Sequence, residues 1–324
     1  MCWTTTGRSF YSREVRGTAS KVIEELSKVK EESSEAMSIC FEASSDSGHL
    51  HDALKGITEH VQVAHPAKLR LIFQCKKKND QVDARKLATL LFLDQVPPVY
   101  VPASEVRNWR QTIEYRVRLV NKRTRVKNEI RSFLRVQGVK APKKLWSKAG
   151  LSWLYSLEFE QEMISTRLSM LLDELKNHEE NLRKVEKALG REAKRNAGVQ
   201  LLMTIPGVGI RTAECLVAYI DDPARFSSSN ELAAYFGLVP ILDSSAGRDR
   251  LGHITKQGPP TARRLLVESS WVAVRRSPTI RAKFERIQKG DPDRNKIAIV
   301  AIAHFLVRVS LSLLKKGEVW EESL

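Results

Sequence analysis

The chain has 324 residues, enough for two or three domains rather than one. Apolar residues make up 42% and charged residues 28%, which excludes the polar, poorly hydrophobic composition of a disordered chain. Lys and Arg number 54 against 38 Asp and Glu, a formal charge of +16, so a polyanionic partner is expected: nucleic acid, with an anionic membrane surface as the competing reading. The sequence reads as having no apolar run long enough to span a bilayer and no signal segment, so a cytoplasmic protein without a membrane partner is expected. Cys2, Cys40, Cys75 and Cys215 are far apart and form no CxxC pair, which argues against a zinc site or a disulfide framework.

Residues 1–102 alternate β-like and helical runs, as an α/β domain does. Met37 to Phe41 alternates apolar and small residues and delivers Glu42 at the tip of a strand. His51 to Ile57 reads as a helix start. Val61 and Val63 read as a second strand stopped at His65-Pro66, and Asp80 to Leu93 as an amphipathic helix. Pro97, Pro98 and Pro102 close the domain. Residues 103–197 form a helical spacer. Its first helix, Ser104 to about Leu134, carries Val106, Trp109, Ile113, Val117, Val120 and Thr124 at three- and four-residue steps. Arg107, Arg110, Arg116, Arg118, Lys122, Arg123, Arg125, Lys127, Arg131 and Arg135 crowd the other faces, and only Glu105, Glu114 and Glu129 offset them. A solvated face is the bland reading. The imbalance favours phosphate contact, with Arg116, Lys122 and Arg123 as candidates.

The second spacer helix, about Leu157 to Leu189, repeats Ile164, Leu168, Leu171, Leu175, Leu182, Val185 and Leu189 in a 4-3 rhythm, with His178 in the seam as a tolerated polar residue. The seam fits a partner helix of the same chain or of another subunit. Residues 198–324 form a third unit in which Gly, Pro and Ser punctuate short helices. The overall expectation is α/β plus all-α.

Three segments carry chemistry. Ile205-Pro206-Gly207-Val208-Gly209, followed by helical Arg211, fits the turn of a helix-hairpin-helix: Pro206, Gly207, Gly209 and Arg211 would meet a phosphate at a helix N-terminus. Asp80 and Asp83, three apart, share a helix face and repel unless a cation sits between them. Mg²⁺ suits such oxygen donors, and Lys78 beside them suits DNA. The alternative is a pair of acids favouring the helix dipole. Finally, Asp243 to Arg250, followed by Lys256-Gln257-Gly258, reads as a basic loop presenting Ser244 and Ser245 among Arg248, Arg250, Lys256, Arg263 and Arg264. Such serines are either plain loop residues or a hydroxyl offered to a scissile phosphate.

Phe41-Glu42-Ala43-Ser44, then Lys78 to Ala84, then Ala233-Ala234-Tyr235-Phe236-Gly237-Leu238-Val239-Pro240 through Lys256-Gln257-Gly258, in this order, resemble the insertion-sequence-110 and insertion-sequence-1111 transposases. The likeness runs from about Gly7 to the C-terminal helices. It implies a RuvC-like (RNase H-like) Asp-Glu-Asp-Asp domain in which Glu42, Asp80 and Asp83 hold Mg²⁺. It also implies a C-terminal transposase domain whose serine attacks DNA to form a covalent phosphoserine intermediate. By position that serine is Ser245, with Ser244 the runner-up because Ala246 replaces the usual glycine. The resemblance further implies a structured noncoding guide RNA as partner to the element-end and target DNA. It implies a homo-oligomer, dimer or tetramer, in which serine and carboxylates come from different subunits.

In that family the first Asp sits on an opening strand, whereas residues 1–41 contain no Asp, and Ser45 stands where a glycine is usual. The chain as written is therefore expected to lack one carboxylate and to show weak or no activity, through a late start or decay of the element. Two further readings stand beside the recombinase: a non-catalytic nucleic-acid-binding protein, and a RuvC-like nuclease that cuts with activated water.

Overall fold

The computed structural model describes residues 2–3, 9–11, 13–33, 36–72, 79–245 and 248–322, with the backbone alone for 2–3, 9–11, 242–245 and 248–251. It is mostly helical with few strands, an α/β segment followed by helical ones. The chain divides into two compact units, Met1–Arg107 and Asn108–Leu324.

In the first unit, β1 (Cys2–Trp3) pairs antiparallel with β2 (Ser9–Tyr11), and α1 (Ala19–Glu32) follows. The strand expected to end at Glu42 is β3 (Ser38–Glu42). It pairs in parallel with β4 (His60–Ala64), Ile39 opposite Val61 and Glu42 opposite Ala64, and α2 (Ser47–Lys55) makes the crossover. That helix starts earlier than His51, because Ser47 turns back to cap the Ser44 amide. Side chains alternate across the strand. Ile39 and Phe41 pack with Leu54, Ile57 and Val61, with Ile23 and Leu26 of α1 against them, while Cys40 packs on the opposite face. A helix absent from the sequence reading, α3 (Pro66–Ile72), opens on Pro66, whose fixed φ suits a first helical position. Next comes α4 (Asp80–Phe92), capped by the Asn79 side chain on the Gln81 amide and packed through Leu87, Leu90 and Leu91 near Cys40 and Ala64. Pro97 to Val99 then runs beside β4: His65 N–H donates to Pro97 O and Val99 N–H to Val63 O.

A long helix, α5 (Ser104–Val136), leads into the second unit, where α6 (Lys148–Tyr155) and α7 (Glu162–Arg195) join it. Ion pairs Arg116–Glu186, Lys127–Glu179 and Arg167–Glu129 descend one helix as they climb the other, so α5 and α7 are antiparallel. The α7 seam lies where its rhythm put it: Leu168, Leu171, Leu175, Leu182 and Leu189 are buried. Its partner is in the same chain, since Val126, Ile130, Phe133 and Leu134 of α5 pack with Leu168, Leu171, Leu172 and Leu175. The α5 stripe is corrected. Its buried residues are Ile113, Leu119, Val126, Ile130, Phe133 and Leu134, while Val117 and Val120 are half-buried and Thr124 is exposed. Heptad steps from Leu119 to Val126 to Phe133 set this face, and Arg123 interrupts it in sequence, which is why the valines misled.

The rest of the unit comprises α8 (Ala197–Leu202), α9 (Ile210–Ile220), α10 (Ser229–Tyr235), β5 (Pro240–Ser245), β6 (Arg248–Ile254), α11 (Pro260–Arg276), α12 (Pro278–Gln288) and α13 (Asn295–Lys316). Two expectations are corrected here. The serine segment is an antiparallel β-hairpin, not a loop. The closing helices are also not all short: α13 has 22 residues, and Pro292–Lys316 is long and apolar enough to cross a bilayer. Half of that apolar window is buried within the unit, and Ile299, Ile302, Ala303, Leu306 and Val307 pack in a core with α9 and α11, so here the hydropathy serves a protein interior.

Two glycines hold the hairpin's root. Gly237 (φ +66°) and Gly258 (φ +71°) lie on strands of chain that cross in contact: a Cβ on Gly258 would sit 1.9 Å from Tyr235 O, and one on Gly237 would sit 2.2 Å from Gln257 O. Gly258→Ala therefore meets a backbone carbonyl and an unfavourable φ together. The expected loss is roughly 2–4 kcal/mol in denaturant unfolding; a loss below the noise of the midpoint would mean the crossing relaxes freely.

Candidate functional site

The carboxylates come from the first unit. Glu42 ends β3 on the same side of the sheet as Cys40, because strand side chains alternate. Asp80 and Asp83 stand seven and four residues before Leu87, on the helical stripe with which α4 meets Cys40. Asp80 and Glu42 are exposed, and Asp83 lies 3.8 Å from Lys86. Sheet parity and helix period thus give the three acids one side. Their oxygen donors suit a hard divalent cation, yet among the described residues no His, Cys, Asp or Glu cluster is close enough to hold a metal. No catalytic step follows from a metal at these positions as they stand. Lys78 lies outside the described residues.

In the second unit, α8 and α9 flank the Pro206 turn. Gly207 takes φ +87°, and a Cβ there would strike Ala273 N at 2.5 Å and Ser269 O at 2.7 Å, so this glycine admits α11 rather than a phosphate. Gly209 is different: it caps α9, and a Cβ on it would meet nothing within 4 Å. In the first turn of α9, Thr212 N–H and Ala213 N–H donate to Gly209 O, while the first amides of a helix, here those of Ile210 and Arg211, have no acceptor within it. Pro206 is half-buried beside this turn. Arg211 is turned inward. Its Nη1 donates to both Glu214 oxygens at 2.9 and 3.0 Å, and Nη2 donates to Glu186 O. Glu214 is 1% exposed. Burial pushes its carboxyl above the usual range, with the Arg211 charge opposing. Arg116 completes the chain by donating to Glu186 Oε1 through Nε and Nη2 at 2.9 and 2.6 Å.

Of the other expected phosphate contacts, Lys122 is exposed on α5, and Arg123 is half-buried with its Nε unpartnered. Lys256 is exposed with φ +54° at the hairpin's root. Arg263 is held by the fold, donating to Phe236 O and Gln257 O at 2.9 and 2.8 Å, whereas Arg264 is exposed on α11, 3.7 Å from Glu268. Residues 246–247 lie outside the described residues, as do the side chains of Ser244, Ser245, Arg248 and Arg250. The backbone register sets Ser245 opposite Arg248, Ser244 opposite Asp249 and Asp243 opposite Arg250. Sequence reasoning missed the acids Glu114, Glu186 and Glu214. Glu114 accepts from Tyr219 Oη and Thr261 Oγ1, both at 2.8 Å. The available signal was Glu114 alone in the middle of a basic helix.

Residues 1–137 match the family model of the IS110 DEDD transposases, and residues 199–285 match that of the transposase IS116/IS110/IS902 family. The chain belongs to the IS110/IS116/IS902 family of transposases. Similar proteins include the transposase of insertion sequence element IS1111A from Coxiella burnetii, 28% identical over 73% of this chain and 66% of that protein. The transposase of IS1328 from Yersinia enterocolitica is 28% identical over 77% of this chain and 75% of its own length. A putative transposase from Sinorhizobium fredii is 27% identical over 88% of this chain and 74% of its own length. Family membership carries DNA transposition as the general function, DNA as partner and divalent-metal use in general terms.

The inward turn of Arg211 separates two roles by experiment. Arg211→Met strands the Glu214 charge in the interior, where losing a partner costs about 3 kcal/mol. Glu214 already binds its proton more tightly folded than unfolded, and losing Arg211 strengthens this. The stability loss should therefore be largest at neutral pH and shrink as pH falls through the raised carboxyl pKa. Unfolding curves at pH 5 and pH 8 check this; equal losses would show that Glu214 is not the group responsible.

Proposed function

We propose that this transposase cuts and rejoins DNA at the element's ends through a covalent phosphoserine link at Ser245, with a structured RNA guiding target choice. The observation that carries the reading is the β5–β6 hairpin, whose register sets Ser245 opposite Arg248 at the turn and Asp243 opposite Arg250. A serine hydroxyl is a weak nucleophile at neutral pH. Guanidinium groups on the pairing strand favour the alkoxide and the charge that builds on phosphorus as it is attacked. The Ser245 Oγ–P bond forms as one phosphodiester P–O bond breaks, and the DNA fragment leaves with a free hydroxyl. A second DNA hydroxyl then attacks the same phosphorus and releases the serine, so strands exchange with no net hydrolysis.

Glu42, Asp80 and Asp83 are the residues that would hold Mg²⁺, which when bound would neutralise phosphate charge. In support, sheet parity and helix spacing give the three acids one side, in keeping with a RuvC-like domain. In this reading residues 1–102 carry the carboxylates, 103–197 the helical spacer and 198–324 the serine. The α8–α9 turn acts as a helix-hairpin-helix contact through the Ile210 and Arg211 amides beyond Gly209. The chain works as a homo-oligomer, and Arg264, Lys256 and Lys122, which are exposed, face nucleic acid, whereas Arg123 lies on the packed side of α5.

The test uses labelled element-end duplex, guide RNA and Mg²⁺, and reads a denaturation-resistant protein–DNA adduct. The adduct is expected in the wild type and in Ser244→Ala, and is lost in Ser245→Ala without change in DNA affinity. Cleavage without adduct would establish water as the nucleophile. An adduct persisting in Ser245→Ala would move the role elsewhere, and DNA binding with neither cleavage nor adduct would leave a binding protein.

A further inference from the structure

The most apolar helix of the molecule carries a basic outer face. On α13, His304, Arg308 and Lys315 stand at i, i+4 and i+11, which a 3.6-residue turn brings to one side. Beside them α12 presents Lys283 and Arg286. Lys283 loses basicity through burial and through the charges of Arg286 and Arg308, and His304 through burial and Arg308, so these side chains feel one another. Among the described residues none of Lys283, Arg286, His304 and Arg308 has an acidic partner within ion-pair distance. A fold gains nothing from gathering unpaired like charges, and a polyanion removes the cost. The same side of α13 lines a groove of Ser227, Ser228, Ser229, Arg308, Ser312 and Lys315; Lys315 Nζ donates to Phe226 O at 2.7 Å and Ser227 Oγ to Glu231 Oε2 at 2.8 Å, so Arg308 is the groove's cation for a ligand.

We propose that this α12–α13 face, built on Lys283, Arg286 and Arg308 with the serine groove beside it, is a docking surface for the phosphodiester backbone of duplex DNA. It is separate from the Ser245 hairpin and from every phosphate contact named above. Duplex fits better than a single strand. Single strands are held by bases stacking on open aromatic rings, whereas the aromatic here, Phe305, is covered by Lys283 Nζ 4.2 Å from its centroid and by Trp320 edge-on at 6.2 Å. Cations and hydroxyls remain, and these recognise phosphate.

The inference rests on DNA being the partner of this chain but not on the serine chemistry, so binding is measured in EDTA, where no adduct chemistry is in play. Anisotropy of a fluorescent duplex of unrelated sequence is titrated across a salt series with the full chain. Arg286→Gln/Arg308→Gln is expected to weaken binding by about tenfold at low salt. It should also reduce the slope of log affinity against log salt by about two, since each phosphate contact contributes about 0.9. Both side chains are exposed, so the thermal midpoint should not move. Lys184→Gln/Lys187→Gln on α7 serves as the charge-matched control. An unchanged slope in the α12–α13 variant, an equal drop in the control, or a loss confined to duplex RNA or single strands would each overturn the proposal. A wild-type chain that fails to bind duplex at all would instead count against the recombinase reading itself.

Discussion

Glu214 sets the terms for the second unit. A carboxylate buried to 1% exposure in the first turns of α9 must be matched or protonated. The match is built from α9 itself and two other helices: Arg211 on α9, Glu186 on α7 and Arg116 on α5. Because α7 leads directly through Asn196 into α8 and the Pro206 turn, this ionic chain fixes where the hairpin stands on the helical spacer. A second polar lock runs in parallel. Glu114 of α5 joins Tyr219 of α9 and Thr261 of α11, while Arg110 donates to Ala218 O and Tyr219 O and lies 5.0 Å from the Tyr219 ring centroid. Apolar packing could slide by a turn; these directional bonds hold one register between α5 and α9.

The cations of a basic protein thus divide into two populations that composition merges. Arg107, Arg110, Arg116, Arg211 and Arg263 are consumed by carbonyls and carboxylates of the fold, whereas Lys122, Lys256, Arg286 and Arg308 project into solvent. Guanidinium groups dominate the first population because a planar fork can satisfy two acceptors at once, as Arg263 does with Phe236 O and Gln257 O. The formal charge of +16 signals a polyanionic partner, but only the second population can meet it.

What was legible in the sequence follows the same division between local and non-local causes. The strand ending at Glu42, the helix opening at Asp80 and the α7 seam are legible because strand alternation, an amphipathic helical pattern and a 4-3 leucine rhythm are written in consecutive residues. The α5 stripe was misread because its buried face is chosen by the α7 leucines and includes Arg123. The β5–β6 hairpin was hidden because Asp243 to Arg250 carries the polar residues of a loop; its pairing is cross-strand. Alanines and serines interrupt the apolar run of α13 in sequence, while helix period gathers Ile299, Ile302, Leu306 and Val307 into the core. At the candidate site, residue types were legible but directions were not: nothing local distinguishes an arginine that meets a carbonyl from one that meets a phosphate.

The two glycines of the 205–209 turn carry the point furthest. Both fit a phosphate-binding hairpin in sequence, and a substitution at either would be expected to impair DNA contact. In the structure Gly207 is pressed against the backbone of α11 at Ser269 and Ala273, so it determines how the hairpin seats on the domain. Gly209 faces open space at the start of an 11-residue helix, so any contact with a ligand falls to its side of the turn. The same short motif therefore sets its two glycines, two residues apart, in different surroundings, one seated against α11 and the other exposed at the start of α9.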